Sequence, residues 1–291
     1  MSTQDLSTPD MSTPDMAKPD LLKRKATVTI ADVLAAMESR YPIASAELWD
    51  TVGLVTGTPD SIVHKVLFAV DPHDRVVSEA RDVGAQLVIA HHPLILNSEI
   101  TPSQSKRKGE IVGQLLANKI GLFTAHTNAD VAWPGVSDAL AKTLGVVIEN
   151  KTSIDPITSL GRIGNLPSTL TLGEFANQVL ASLPETQRGI HVAGGLDKPI
   201  MRVAICGGSG GSLLDLVAQS DADVFVTSDL KYHVAQEFVD STGKCLIDIS
   251  HWAGEWTWLD QAAELLKLDL GGTLETHVSS LVTDPWSLSL N

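Results

Sequence analysis

Gln86-Leu87-Val88-Ile89-Ala90-His91-His92-Pro93 is the stretch on which the reading of the whole chain turns. Its apolar residues form a run short enough for a buried strand, and two adjacent histidines follow at the carboxyl end. In open α/β sheets, ligands collect beyond the carboxyl ends of strands. Neutral imidazole is a common metal ligand, so the pair suggests a metal. It would equally suit a strand end whose histidines only hydrogen-bond to a loop. The flanking sequence has to separate these readings.

Outward from this stretch, strands alternate with helices. Before it, Thr29 is placed to cap a helix over Ile30 to Arg40, whose Val33, Leu34 and Met37 repeat at helical spacing. Val66 to Val70 reads as a strand, and His73 to Val83 as a helix stopped by Gly84. After it come a loop to about Lys106, a helix to Lys119 and a strand over Gly121 to Ala125. That strand runs into His126-Thr127-Asn128-Ala129-Asp130, and Ser137 is placed to cap a helix through Leu144. Such alternation implies parallel pairing through right-handed crossovers.

Residues 150–198 are less patterned, although Thr171 and Glu174 predict a capping box for a helix through Leu183. The alternation then resumes. Met201 to Cys206 reads as a strand, followed by Gly207-Gly208-Ser209-Gly210-Gly211 and a helix over Ser212 to Gln219. Asp223 to Thr227 is a strand ending in Ser228-Asp229, and His233 to Asp240 lies on a helix. Cys245 to Ile249 is a strand, with Ser250-His251-Trp252-Ala253-Gly254-Glu255 opening a helix through Leu266. Thr273 to Val282 is patterned in part as one more strand. The expected fold is α/β: two similar α/β domains with mainly parallel sheets, over 27–150 and 151–267, with 268–291 returning to the first. Residues 1–26 repeat Ser-Thr-Pro-Asp-Met and are expected to be a disordered tail, because such residues bury too little surface to offset chain entropy.

Composition narrows the function. The 291 residues carry a net charge of −14, which opposes non-specific nucleic-acid binding. No apolar run reaches the roughly 18 residues needed to span a bilayer. The two cysteines, Cys206 and Cys245, give no disulfide framework, so a reducing cytoplasm is the simplest location.

The two halves share a layout. Residues 66–130 and 202–255 each run strand, helix, strand, helix, strand. In each, the third strand ends in a histidine with an acidic residue four positions later: His126 and Asp130, then His251 and Glu255. Positions i and i+4 share a helix face, and a loop of that length can fold back around one ion. With His91 and His92 this makes four histidines and two carboxylates just past strand ends. Six such ligands exceed the needs of one tetrahedral zinc and suit two ions about 3.5–4 Å apart. The absence of thiolate favours zinc, iron or manganese.

At these residues the chain resembles the Nif-three-like proteins, also known as GTP cyclohydrolase type-two homologs or dinuclear-metal-centre hexameric proteins. The resemblance is carried in order by Trp49-Asp50-Thr51-Val52-Gly53-Leu54, Ile89-Ala90-His91-His92-Pro93-Leu94, His126-Thr127-Asn128-Ala129-Asp130, Thr227-Ser228-Asp229-Leu230-Lys231-Tyr232-His233 and Ser250-His251-Trp252-Ala253-Gly254-Glu255. It spans roughly 28–291 and implies the short form of the family. It implies a dinuclear metal site in the cleft between the two domains, with His91, His92, His126, Asp130, His251 and Glu255 as ligands and Asp130 as the bridge. It also implies a homohexamer, a trimer of dimers. Ser228 stands where the family usually has Gly, and Ser250 and Trp252 flank His251 where Gly and Tyr are common.

Three further features have two readings each. Asp229 and His233, spaced i and i+4, either support the metal ligands or act as an acid/base pair beside the metals, or else are a helix cap and a surface histidine. Gly207 to Gly211 is either a tight turn or a backbone nest for an anion; it lacks the P-loop ending. Trp252, Trp256 and Trp258 either pack the last helix or offer a stacking surface. The expected function is metal-dependent hydrolysis of a nucleotide or phosphoester, cyclohydrolase-like by resemblance, with Asp229 or His233 moving protons. The alternative is a non-enzymatic, metal-handling or regulatory hexamer.

Overall fold

The computed structural model describes residues 27–96 and 106–290. The expected disordered tail, and most of the loop before Lys106, lie outside the described residues.

Helix α1 (Ile30–Arg40) begins at Thr29, whose hydroxyl accepts from the Asp32 amide while the Asp32 carboxylate accepts from the Thr29 amide. This reciprocal cap satisfies two otherwise orphaned donors. Next come β1 (Gly53–Thr56), β2 (Lys65–Ala69), α2 (Asp74–Asp82), β3 (Leu87–Ala90), α3 (Lys106–Ala117), β4 (Gly121–Thr124), α4 (Thr127–Val131) and α5 (Val136–Thr143). The second series is β5 (Arg162–Thr171), α6 (Leu172–Ser182), β6 (His191–Ala193), β7 (Pro199–Ser209), α7 (Leu214–Gln219), β8 (Val224–Ser228), α8 (Tyr232–Thr242) and β9 (Cys245–Asp248). Helix α9 (His251–Asp269) and β10 (Glu275–Val278) complete the described chain.

These strands build two five-stranded sheets, ordered β1-β4-β3-β2-β10 and β5-β7-β8-β9-β6. Read in opposite directions, the sheets correspond strand for strand. Each has three consecutive parallel strands, β2-β3-β4 and β7-β8-β9, with a short antiparallel strand beside the third. They differ at the other edge, where β10 runs parallel to β2 but β5 runs antiparallel to β7. The fold is therefore mixed α/β with mostly parallel sheets. Strands β2, β3, β4 and β8 are almost continuously apolar and buried, as expected for strands covered on both faces.

Two local expectations are corrected. Strand β7 does not stop at Cys206 but runs through Ser209, so Gly207 and Gly208 are strand residues rather than a loop opening a helix. Strands β1 and β6 lie in stretches that carry no alternating pattern: each is a short edge strand whose pairing is supplied by its neighbour.

Helices α5 and α9 join the two sheets. Val136 and Ala139 of α5 pack with the first sheet's core, and Leu140, Ala141 and Leu144 with that of the second. Helix α9 follows β9, yet Trp258, Leu259, Ala262 and Leu266 pack among Val66, Phe68 and Ile89 of the first sheet. Trp252 and Trp258 are buried in that cluster, so packing is their role, and Trp256 lies half-buried against it. No helix among the described residues is long and apolar enough to cross a membrane.

Candidate metal centre

Strand ends bring the chemistry together. His91 and His92 follow β3, His126 follows β4, and His251 opens α9 directly after β9. Ring centroids are 5.2 Å apart for His91 and His92, His91 and His126, and His92 and His251. Asp130 lies one turn beyond His126 on α4, and Glu255 one turn beyond His251 on α9. All six residues singled out in the sequence therefore converge where the two sheets meet.

Each imidazole is oriented from behind. His91 Nδ1 donates to the Ala125 carbonyl at 2.9 Å. A carbonyl can only accept, so Nδ1 carries the proton and neutral His91 presents a lone pair at Nε2. The other three donate Nδ1 to carboxylates: His92 to Asp71 at 2.8 Å, His126 to Asp50 at 3.0 Å, and His251 to Asp229 at 2.6 Å. Such outer carboxylates fix the ring and raise ligand basicity at metal sites. Asp50 also accepts from the Thr127 amide and hydroxyl. Burial alone would raise the Asp50 pKa, but these bonds and His126 hold it well below the carboxylate range. Asp229 adopts a left-handed backbone, φ 60°, directly after β8. This conformation is uncommon for a non-glycine residue but tolerated by Asp.

Glu255 is the centre of the constellation. Its Oε1 lies 2.8 Å from His251 Nε2 and 3.4 Å from His91 Nε2, and its Oε2 lies 2.8 Å from His92 Nε2. Asp130 Oδ1 lies 3.8 Å from His91 Nε2. The carboxylate facing most imidazoles is thus Glu255, not Asp130. Burial would raise the Glu255 pKa, but His92, His251 and His91 drive it well below its usual value. In the metal-free protein the converse holds for its partners. Burial opposes a proton on His92, but Glu255 and Asp71 push its pKa up to about 10. Glu255, despite burial, pushes that of His251 up to about 11.

Three buried atoms in this cluster have no hydrogen-bond partner of acceptable geometry: His91 Nε2, Asp130 Oδ1 and Glu255 Oε2. Unpaired buried polar groups are costly and rare. Three of the seven such side-chain atoms among the described residues lie here, with His91 Nε2 3.8 Å from Asp130 Oδ1. Two groups could hold a metal ion, His91/His92/His126 and His92/His251/Glu255, with ligand atoms in each within 4.8 Å of one another. The groups share His92. This donor set of imidazoles and carboxylates fits a borderline divalent ion.

The site opens into a cavity of about 390 Å³ lined by Trp49, His126, Asp130, Gly208, His251 and Glu255, among others. Gly207 and Gly208 form part of its wall, where the strand packs too closely for side chains: a β-carbon on Gly207 would lie 2.6 Å from Val136. His233 is not brought to this site. It is exposed on α8, packs edge-on against Tyr232, and lines a separate groove with Gln236 and Asp240. Sequence reasoning did not assign Asp50 or Asp71 to the site. Asp71, at the end of β2, offered only its position past a strand end as a signal.

Comparisons with known proteins identify the family. The family described as Duf34/NIF3 (NGG1p interacting factor 3) matches residues 28–285. A Streptomyces coelicolor protein named "GTP cyclohydrolase 1 type 2 homolog" is 42% identical over 266 residues, covering 89% of this chain and 93% of that protein. A Mycobacterium tuberculosis protein of the same name is 31% identical, covering 90% of this chain and 97% of that one. That alignment spans 373 residues, more than this chain holds, so the mycobacterial relative carries additional sequence. Among solved structures, a Bacillus cereus protein related to NIF3 superposes with a TM-score of 0.82 at 26% identity, covering 90% of this chain and 99% of that one. The chain belongs to the DUF34/NIF3 family.

Proposed function

We propose that this chain binds two divalent ions, zinc, iron or manganese, and uses them to hydrolyse a nucleotide or phosphoester. Cyclohydrolase-type ring opening is the version suggested by the relatives' name. The observation that carries the proposal is that three buried ligand atoms, on His91, Asp130 and Glu255, lack a hydrogen bond of acceptable geometry beside an open cavity. The chemistry supplied by two ions at such a site is Lewis acidity, the ionisation of water near neutral pH and polarisation of a substrate oxygen.

The chain's own residues would divide the work as follows. His91, His126 and Asp130 would hold one ion, and His92, whose Nδ1 is taken by Asp71, would join His251 at the other. Glu255, within reach of three imidazoles, would serve both ions, the role expected of Asp130. Asp50, Asp71 and Asp229 hold the Nδ1 protons and keep each Nε2 aimed inward. Asp229 is in this reading a positioning group; a proton-moving role for His233 has no contact in its support. The cavity wall contributes Glu47, Asp130 and Glu255, with no Lys or Arg among its described lining residues. An anionic substrate would therefore be attracted by the ions' charge rather than by basic side chains. The homohexamer and the cytoplasmic location belong to the same proposal, and light scattering on the purified chain tests the first.

The decisive experiment pairs metal analysis with turnover. The protein is loaded with zinc, iron or manganese and assayed on a panel of nucleotides and phosphoesters. Two ions per chain with hydrolysis of at least one class is the expected result. Two ions per chain with no turnover across the panel would overturn the hydrolase reading and favour a metal-handling protein.

A further inference from the structure

The segment after β10 touches both halves of the metal centre from behind. The Ser279 amide donates to the Phe68 carbonyl at 2.8 Å, continuing the β10–β2 ladder past its last strand residue. Arg75 donates to the Val282 carbonyl at 3.3 Å. The next two residues then reach different sheets. The Thr283 hydroxyl donates to Asp71 Oδ2, while Asp71 Oδ1 holds His92 Nδ1 at 2.8 Å. Asp284 Oδ2 accepts from the Ser250 hydroxyl at 2.5 Å. Ser250 caps α9, accepting from the Ala253 amide, and precedes His251 in the chain.

We infer that Thr283 and Asp284 are positioning residues that hold His92 of the first sheet and His251 of the second in register around Glu255. The inference rests on the metal-binding reading above. Its physical basis is that a carboxylate orients an imidazole only as well as it is itself oriented. Asp71 has one oxygen on His92, and without Thr283 its other oxygen loses the hydroxyl that fixes the carboxylate plane. Ser250 sets the start of α9, and both His251 and Glu255 ride on the first turns of that helix. Because Thr283 and Asp284 are adjacent, a shift of the segment moves both supports together. The His92/His251/Glu255 group is thus tied by one short piece of chain, whereas His126 is braced independently by Asp50 and Thr127.

Cobalt(II) titration of the full chain, followed by its visible absorption, tests this. Wild type is expected to bind two equivalents. Thr283→Val, nearly isosteric but without the hydroxyl, should weaken one of the two by about tenfold and shift its absorption band, leaving the other unchanged. Thr283→Ser should restore both affinity and spectrum. Asp284→Ala should weaken the same ion as Thr283→Val. Thermal melting without metal serves as the folding control. If wild type binds two equivalents and Thr283→Val matches it, the positioning role is wrong. Equal weakening of both ions with a lowered metal-free melting temperature would also overturn it, by showing a merely structural segment. Failure of wild type to bind cobalt would instead refute the underlying metal reading.

Discussion

A β-carbon added to Gly208 would lie 2.4 Å from Glu255 Oε1. Strand β7 therefore passes against the central carboxylate of the site with no room for a side chain. Glu255 could yield only by giving up its 2.8 Å contacts with His251 and His92. The backbone at Gly208 adds a second constraint, with φ +71°, a conformation that costs other residues roughly 1–2 kcal/mol. Gly208→Ala is expected to abolish metal binding while lowering stability only modestly. Metal analysis and a melting curve on the same sample check both statements; an alanine variant with two ions would contradict the geometry.

Glu255 and Asp130 should differ as ligands. Glu255 faces three imidazoles, Asp130 Oδ1 one at 3.8 Å. Glu255→Ala is expected to lose both ions, and Asp130→Ala to keep one. Stoichiometry by elemental analysis distinguishes them, and the reverse pattern would return the bridge to Asp130.

Metal uptake should release protons. In the metal-free protein Glu255 and its neighbours push His92 up to about 10 and His251 up to about 11. Both are therefore protonated at neutral pH, yet a histidine ligates only when neutral. Affinity should rise as pH rises from 6 to 8, with at least one proton released per chain. Calorimetry in buffers of different ionisation enthalpy counts these protons; a count of zero would mean the site is already deprotonated.

Tyr41 predicts the alkaline limit of stability. It is buried against Trp258, whose Nε1 donates to its hydroxyl oxygen at 3.2 Å. Burial pushes its pKa from 10.0 to about 12. A raised folded-state pKa means that stability is intact below about pH 10 and is lost as pH climbs towards 12. The interval corresponds to about 3 kcal/mol. Urea unfolding should show stability falling above pH 10 in wild type and a flatter profile in Tyr41→Phe.

Arg162 should be among the most sensitive structural positions. It is fully buried, bonded to Asp138 and to the Ala132, Ser159 and Gly161 carbonyls, and stacked 3.5 Å over Trp133. Removing one partner of a buried pair typically costs about 3–5 kcal/mol. Arg162→Ala is expected to lose that much in chemical denaturation, whereas an exposed pair such as Arg81 with Asp82 should contribute under about 1 kcal/mol.

What the sequence by itself determined was local. The caps at Thr29 and Thr171, and the apolar runs of β2, β3, β4 and β8, depend on neighbours within a few residues, and the chain spells them out. The six candidate ligands were legible for the same reason, since each lies just past a strand whose period is plain. Tertiary structure decided what depends on distant contacts. Edge strands β1 and β6 exist only because β4 and β9 lie beside them. Helix α9, contiguous with β9, buries its apolar face on the other sheet, a choice no local pattern encodes. Asp50 and Asp71 acquire their roles only when His126 and His92 arrive from 76 and 21 residues away. At His91 and His92, where the reading began, sequence supplied two imidazoles at a strand end. Packing supplied Ala125 and Asp71 behind them and Glu255 in front, because orientation is a property of the surroundings rather than of the residue.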